Sequence, residues 1–142
     1  MAKECPRGKF ITFFVALLDP VAGTISYSNA GHNPPMLQKR SGQMITLKQG
    51  GPVLGILKSF QYSGETVPWE RGDVLLLYSD GVSEAMNIAE DEYGEERLAR
   101  LLAASSNEPV GQILENIYDS LRTFMGEATA GDDITVVVAK RT

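Results

Sequence analysis

"DVLLLYSDGVSEA", residues 73 to 85, contains the transition on which the fold turns. Val74, Leu75, Leu76, Leu77 and Tyr78 run without a polar break, the pattern of a strand covered on both faces rather than one with a wet side. Asp80 and Gly81 end the run, and the residues after them read as a helix start. A carboxylate at the end of a core strand needs a reason.

Working outward from this strand, the chain has a clear order. "FITFFVALL" (10 to 18) is rich in aromatic and β-branched residues and stops at the turn signal "DPVAG"; "TISYSNA" follows, with Ile25, Tyr27 and Asn29 alternating. A β-hairpin accounts for both halves. The competing reading is a secretion signal, with Lys3, Arg7 and Lys9 ahead of the apolar run, but the run is too short to span a membrane and the hairpin is favoured. Strand-like segments follow at "PMLQK" (35 to 39), "MITLK" (44 to 48) and "QYSGETVPW" (61 to 69), separated by the turn clusters "KRSGQ" and "QGGPVLG". Two helices are expected beyond the central strand. "EERLARLLAA" (95 to 104) aligns Leu98, Leu101 and Leu102, and residues 109 to 124 align Val110, Ile113, Leu114, Ile117, Leu121 and Phe124. Ser106 or Asn107 is the expected cap of the second helix, with Pro109 in its first turn. "DDITVVVAK" closes the chain as a last strand, so the order predicts an α+β fold of antiparallel sheet packed against helices.

Composition narrows the function. With 142 residues, 43% of them hydrophobic, the chain is long enough for one domain with a real core. Eighteen acidic and thirteen basic residues give a net charge of −5, which offers no basic face to nucleic acid or anionic lipid. Neither nucleic acid nor a membrane is expected as a partner. The single cysteine, Cys5, cannot form an internal disulfide, has no nearby group to make it a reactive thiol, and fits a cytoplasmic setting.

The acidic residues at the strand ends carry the chemistry. Asp80 follows strand 73 to 79, and Asp132-Asp133 precede strand 134 to 139. If those strands are antiparallel neighbours, the three carboxylates meet at one sheet edge. Like charges so placed call for a cation, and grouped hard oxygens suit Mg²⁺ or Mn²⁺. Gly81 and Gly131 would let the backbone approach an ion. The plainer reading is that aspartate is common at strand ends because it bonds local backbone, and spacing alone favours that.

The motifs "FITFFVALLDPVAGTISYSNAGHNPPML", "GGPVLGI", "RGDVLLLYSDGVSEAMN", "YGEERL" and "GDDITVVV" occur in the order found in bacterial metal-dependent protein serine/threonine phosphatases of the sporulation stage II protein E type, within the wider type 2C-like (PPM) class. The chain resembles that family from about Phe10 to Val138. The resemblance implies a sandwich of two antiparallel sheets flanked by helices, forming a PPM-type phosphatase domain over residues 1 to 142, with a two-metal centre at one end. It makes Asp80 and Asp132 the catalytic metal ligands, with Asp133 adjoining as a further metal ligand. Two Mn²⁺ or Mg²⁺ ions in that family activate a water that attacks a phosphoserine or phosphothreonine. The partner it implies is a phosphoprotein such as an anti-sigma-factor antagonist in stress or sporulation signalling.

One part of the family pattern is not among these 142 residues. A Gly-Asp-x-x-Gly-His-Gly stretch, which carries the family's first metal-binding aspartate, lies ahead of the segment matching Phe10. Gly72-Asp73-Val74 begins like it but continues into Leu75-Leu76-Leu77. The N-terminal part of the domain is therefore expected to be missing. The alternative to a phosphatase is a non-catalytic fragment or degenerate interaction module. Missing strands and helices would leave parts of "FITFFVALL" and the stripe of helix 109 to 124 exposed, so self-association is expected. Among other conspicuous residues, His32 in "NAGHNPP" reads as a turn residue, and Trp69 and Tyr78 read as core. Glu84 either lines the approach to the metals or sits in a helix's first turn, where the dipole favours it.

Overall fold

The hairpin forms as β1 (Phe13–Asp19) and β2 (Thr24–Ala30), antiparallel, with Leu18 opposite Ile25 and Asp19 opposite Thr24. Asp19 makes the turn: its Oδ1 accepts the N–H groups of Val21 at 2.9 Å and Ala22 at 2.8 Å. Gly23 closes it at φ +67°, where a side chain would be strained. The computed structural model describes Pro6 and residues 8–142. Lys3, Cys5 and Arg7, on which the signal-like and thiol readings rest, lie outside the described residues.

Two compact units divide the chain. The first, residues 1–34 and 47–70, holds the hairpin, β5 (Gly50–Gly51) and β6 (Glu65–Pro68). β6 pairs antiparallel with β2, and β5 pairs parallel with it over two residues. Ile25, Tyr27 and Asn29 are buried as their alternation predicts. Asn29 holds the following turn: its amide accepts the His32 N–H and donates to the carbonyls of His32 and Leu47, which fits His32 as a turn residue. The Tyr27 hydroxyl donates to Glu65, and burial first, then that bond, push its pKa up to about 12. Trp69 is buried. β1 is an edge strand whose outward residues Phe13, Val15 and Leu17 are 51%, 50% and 69% exposed.

The second unit, residues 35–46 and 71–142, is a four-stranded antiparallel sheet with helices. Its strands are β3 (Met36–Gln38), β4 (Met44–Thr46), β7 (Val74–Tyr78) and β8 (Val136–Lys140), in the order β4-β3-β7-β8. Its helices are α1 (Asp80–Ser83), α2 (Glu95–Ser105) and α3 (Val110–Met125). Val74, Leu76 and Tyr78 point to one face, where they pack with Leu98 and Leu102 of α2 and Ile113, Ile117 and Leu121 of α3. Leu75, on the other face, is buried as well, so β7 is covered on both sides as its unbroken apolar run requires. The fold is α+β with mainly antiparallel sheets. No helix among the described residues is long and apolar enough to cross a membrane.

Two expectations fail here. The stripe of α3 is not an exposed patch: Ile113, Ile117 and Leu121 are buried because the unit's own sheet and α2 cover them. Nor do Ser106 or Asn107 cap α3. Ser106 keeps helical dihedrals and closes α2, its Oγ donating to the Ala103 carbonyl at 3.1 Å. Pro109, extended at ψ 151°, is the N-cap instead. The carbonyls of Ser106 and Glu108 in this turn each accept the Lys140 ammonium at 2.9 Å, so β8 anchors the link between helices.

Candidate metal site

β7 and β8 are antiparallel neighbours, with Tyr78 opposite Val136. The residues just beyond this pair, Asp80 on one side and Asp132-Asp133 on the other, therefore lie at the same sheet edge. Ser79 joins the two segments. Its N–H donates to the Thr135 carbonyl at 3.0 Å, its Oγ accepts the Thr135 N–H at 3.0 Å, and the same hydroxyl donates to the Asp133 carbonyl at 3.1 Å. Gly81 completes the junction, since a Cβ there would lie 2.2 Å from the Asp133 carbonyl oxygen. Gly81 thus serves a close backbone approach to Asp133. A Cβ on Gly131 would meet nothing within 4 Å.

The carboxylates themselves are exposed. Asp80, the first residue of α1, accepts the Gly81 N–H at 3.0 Å through Oδ1. Asp132 accepts the Asp133 N–H at 2.7 Å. Each therefore bonds local backbone, as the plain turn reading predicts. Tyr78 fixes the strand end from below: its hydroxyl donates to Glu95 Oε1 at 2.7 Å, and burial and that bond hold its pKa well above the ordinary tyrosine value.

A cavity of about 350 Å³ opens beside this junction, lined by Gly81, Glu84, Met86, Glu92 and Asp132 among others. Asp132 reaches it; Asp80 and Asp133 do not line it. Glu84 does, and it follows α1 as its C-cap instead of occupying a first turn, so the dipole does not account for it. Glu92, which lines the cavity, and Ser79, which joins the two strand ends, were not singled out by the motif reading. Ser79 had a signal in its place between the core strand and Asp80; Glu92 had none.

Carboxylate oxygens are the right donors for Mn²⁺ or Mg²⁺. As arranged, they do not enclose one. Among the described residues, no three His, Cys, Asp or Glu side chains converge tightly enough to hold a metal ion. Asp80, Asp132 and Asp133 share an edge without forming a complete centre; one carboxylate oxygen each of Asp80 and Asp132 is taken by the next residue's N–H.

The family model for Stage II sporulation protein E (SpoIIE) matches residues 1–142. The chain belongs to the SpoIIE family. Protein IcfG of Synechocystis sp. is 30% identical over 132 residues, covering 93% of this chain and 21% of IcfG. The phosphoserine phosphatase RsbU of Bacillus subtilis is 31% identical over 134 residues, covering 93% of this chain and 39% of RsbU. Among solved structures, the SiaA-PP2C domain of Pseudomonas aeruginosa superposes with a TM-score of 0.80 at 19% identity, over 92% of this chain and 52% of that one. That likeness shows a shared fold. The SpoIIE-family chain described here spans less than half the length of these curated relatives and about half of the solved domain.

Proposed function

We propose that this chain is the carboxy-terminal part of a single metal-dependent protein serine/threonine phosphatase domain, acting on a phosphoserine or phosphothreonine of a regulatory protein such as an anti-sigma-factor antagonist. The observation that carries the reading is the β7–β8 register, which holds Asp80 and Asp132-Asp133 at one edge beside an acidic cavity, in a family whose relative RsbU is a phosphoserine phosphatase. Asp80 and Asp132 are proposed as ligands of Mn²⁺ or Mg²⁺, with Asp133 adjoining; further ligands are needed to complete a two-metal centre. The protein is proposed to work in the cytoplasm. A second reading, a non-catalytic module that binds the same kind of partner, is favoured by the lack of three converging ligands among the described residues. The exposed face of β1 is proposed as a surface for a second copy.

Calorimetric titration with Mn²⁺, paired with hydrolysis of p-nitrophenyl phosphate, tests the first reading against the second. Binding that Asp80→Asn abolishes, together with turnover, is expected of a phosphatase. Absence of both would leave a fragment that needs the rest of its domain, or the interaction module.

A further inference from the structure

Residues 86 to 92 form a short, largely exposed arm of the second unit. Met86 and Glu92 pair as an isolated antiparallel bridge, and both line the Asp132 cavity. Between them the chain turns tightly. The Asn87 N–H donates to the Asp91 carbonyl at 3.1 Å, the Asp91 N–H returns to Asn87 Oδ1 at 2.9 Å, and Glu90 takes a left-handed φ of +63°.

The base of the arm is fixed. Ala85 is buried on the entering side, and Tyr93, buried on the leaving side, contacts Phe124 edge-on and shares a 2.7 Å hydrogen bond with Ser120 of α3. Arg97 locks the same corner, donating to the carbonyls of Glu92 at 2.9 Å and Tyr93 at 2.8 Å with its guanidinium over the Phe124 ring. An arm so tightly held would be expected to carry polar residues at its tip. Instead Ile88 is 71% exposed and Met86 46% exposed, two apolar side chains held in water beside the cavity.

The charge around them is mainly acidic, since the one cation named at the arm's base, Arg97, is taken up by the Glu92 and Tyr93 carbonyls and the Phe124 ring. Glu84, Glu90, Asp91, Glu92 and Asp132 lie on or beside the arm, and no Lys or Arg occurs from residue 72 to 96 or from 123 to 139. A partner that covers Ile88 and Met86 must therefore bring an apolar side chain for contact and a cation for charge complementarity.

We infer that the Met86–Glu92 arm selects the phosphorylated segment, favouring a phosphoserine flanked by an apolar residue that packs on Ile88 and Met86 and by a Lys or Arg that meets Glu92. This rests on the phosphatase reading and adds the substrate class to it. A rigid arm lowers the ordering cost of such a contact, because only the substrate segment has to be immobilised.

Fluorescence anisotropy in the presence of Mn²⁺ tests it, with a short labelled peptide in which leucine and arginine follow a non-hydrolysable phosphonate analogue of phosphoserine, and three relatives carrying alanine for leucine, glutamate for arginine, or unmodified serine. The leucine-arginine phosphopeptide is expected to bind tightest. Ile88→Ser is expected to weaken it about tenfold and to erase the preference for leucine over alanine. Glu92→Gln is expected to narrow the preference for arginine over glutamate. Thermal melts check that both variants stay folded, as their exposed positions predict. Ile88→Ser binding like wild type, or wild-type protein that binds all four peptides alike or none of them, overturns the inference. Turnover of p-nitrophenyl phosphate by the wild-type sample separates the two claims. Turnover without peptide preference sinks the arm alone; peptide preference without turnover upholds the arm as a recognition element on a chain that does not complete the metal centre by itself.

Discussion

Gly81 shows how narrowly a single position can be determined. Its φ is not left-handed, so alanine is acceptable to the backbone, and the constraint is purely one of space against the Asp133 carbonyl. That carbonyl cannot swing away freely, because it also accepts the Ser79 hydroxyl. Gly81→Ala is therefore expected to cost about 1 to 3 kcal/mol as overpacking and to separate the Asp80 and Asp132-Asp133 segments. Gly131→Ala, in open space one residue before Asp132, is expected to stay within about 0.5 kcal/mol of wild type. Urea denaturation of the two variants measures the contrast. Equal midpoints would mean that the junction adjusts, and that the glycine after Asp80 is there for another reason.

The elements are held by what lies at their ends as much as by their faces. β3 is tied to β7 by a pair just outside both: Lys39 donates to Asp73, which also accepts the Arg40 N–H at 2.8 Å, and the Asp73 side chain is fully buried. This is why Gly72-Asp73-Val74 is no displaced metal motif; the carboxylate is committed inside the fold. Asp73→Ala leaves the Lys39 ammonium buried beside a lost counter-charge, and should cost about 3 kcal/mol or more. The exposed pair Arg122 and Asp119 at 2.6 Å is a control, since Asp119→Ala should cost well under about 1 kcal/mol. Similar unfolding free energies for the two variants would refute this ranking. The hairpin, β7, α2 and α3 were legible in the sequence because period and burial coincide in them: Ile25, Tyr27 and Asn29 are buried, and so are Leu98, Leu102, Ile113, Ile117 and Leu121. β5 was not, because Gly50 and Gly51 have no side chains to form a pattern and read as a turn. The shared edge of Asp80 and Asp132-Asp133 was legible from strand order. The local bonds of the Asp80 and Asp132 carboxylates were not, because a hydrogen bond to the next N–H leaves no trace in the choice of residue. The arm at 86 to 92 was hidden for a different reason: its signal is the exposure of Ile88, and exposure is a property of the folded surface.

At the scale of the whole molecule, the open question is what covers β1. An edge strand is commonly protected by a lysine, a proline, a bulge or short length, and β1 has none of these: seven residues, Phe13–Asp19, pair in unbroken register with β2. Among the described residues no second strand lies along its other edge. Phe13, Val15 and Leu17 recur with period two, so a second copy added antiparallel along that edge would keep its apolar side chains on the same sheet face as those of the first. A net charge of −5 spread over 142 residues gives only weak repulsion between copies at physiological ionic strength, where charges beyond about 8 Å are largely screened. Self-association is therefore expected to rise with concentration in multi-angle light scattering. Val15→Lys places a charge at the middle of the edge on an already exposed position, so it should return the protein to monomer with little change in thermal stability. Wild-type protein that stays a monodisperse monomer at high concentration would show that β1 is not covered by a second copy. A Val15→Lys variant that associates as strongly as wild type would move the contact elsewhere, with the exposed Ile56, Leu57 and Phe60 of the same unit as the next surface to alter.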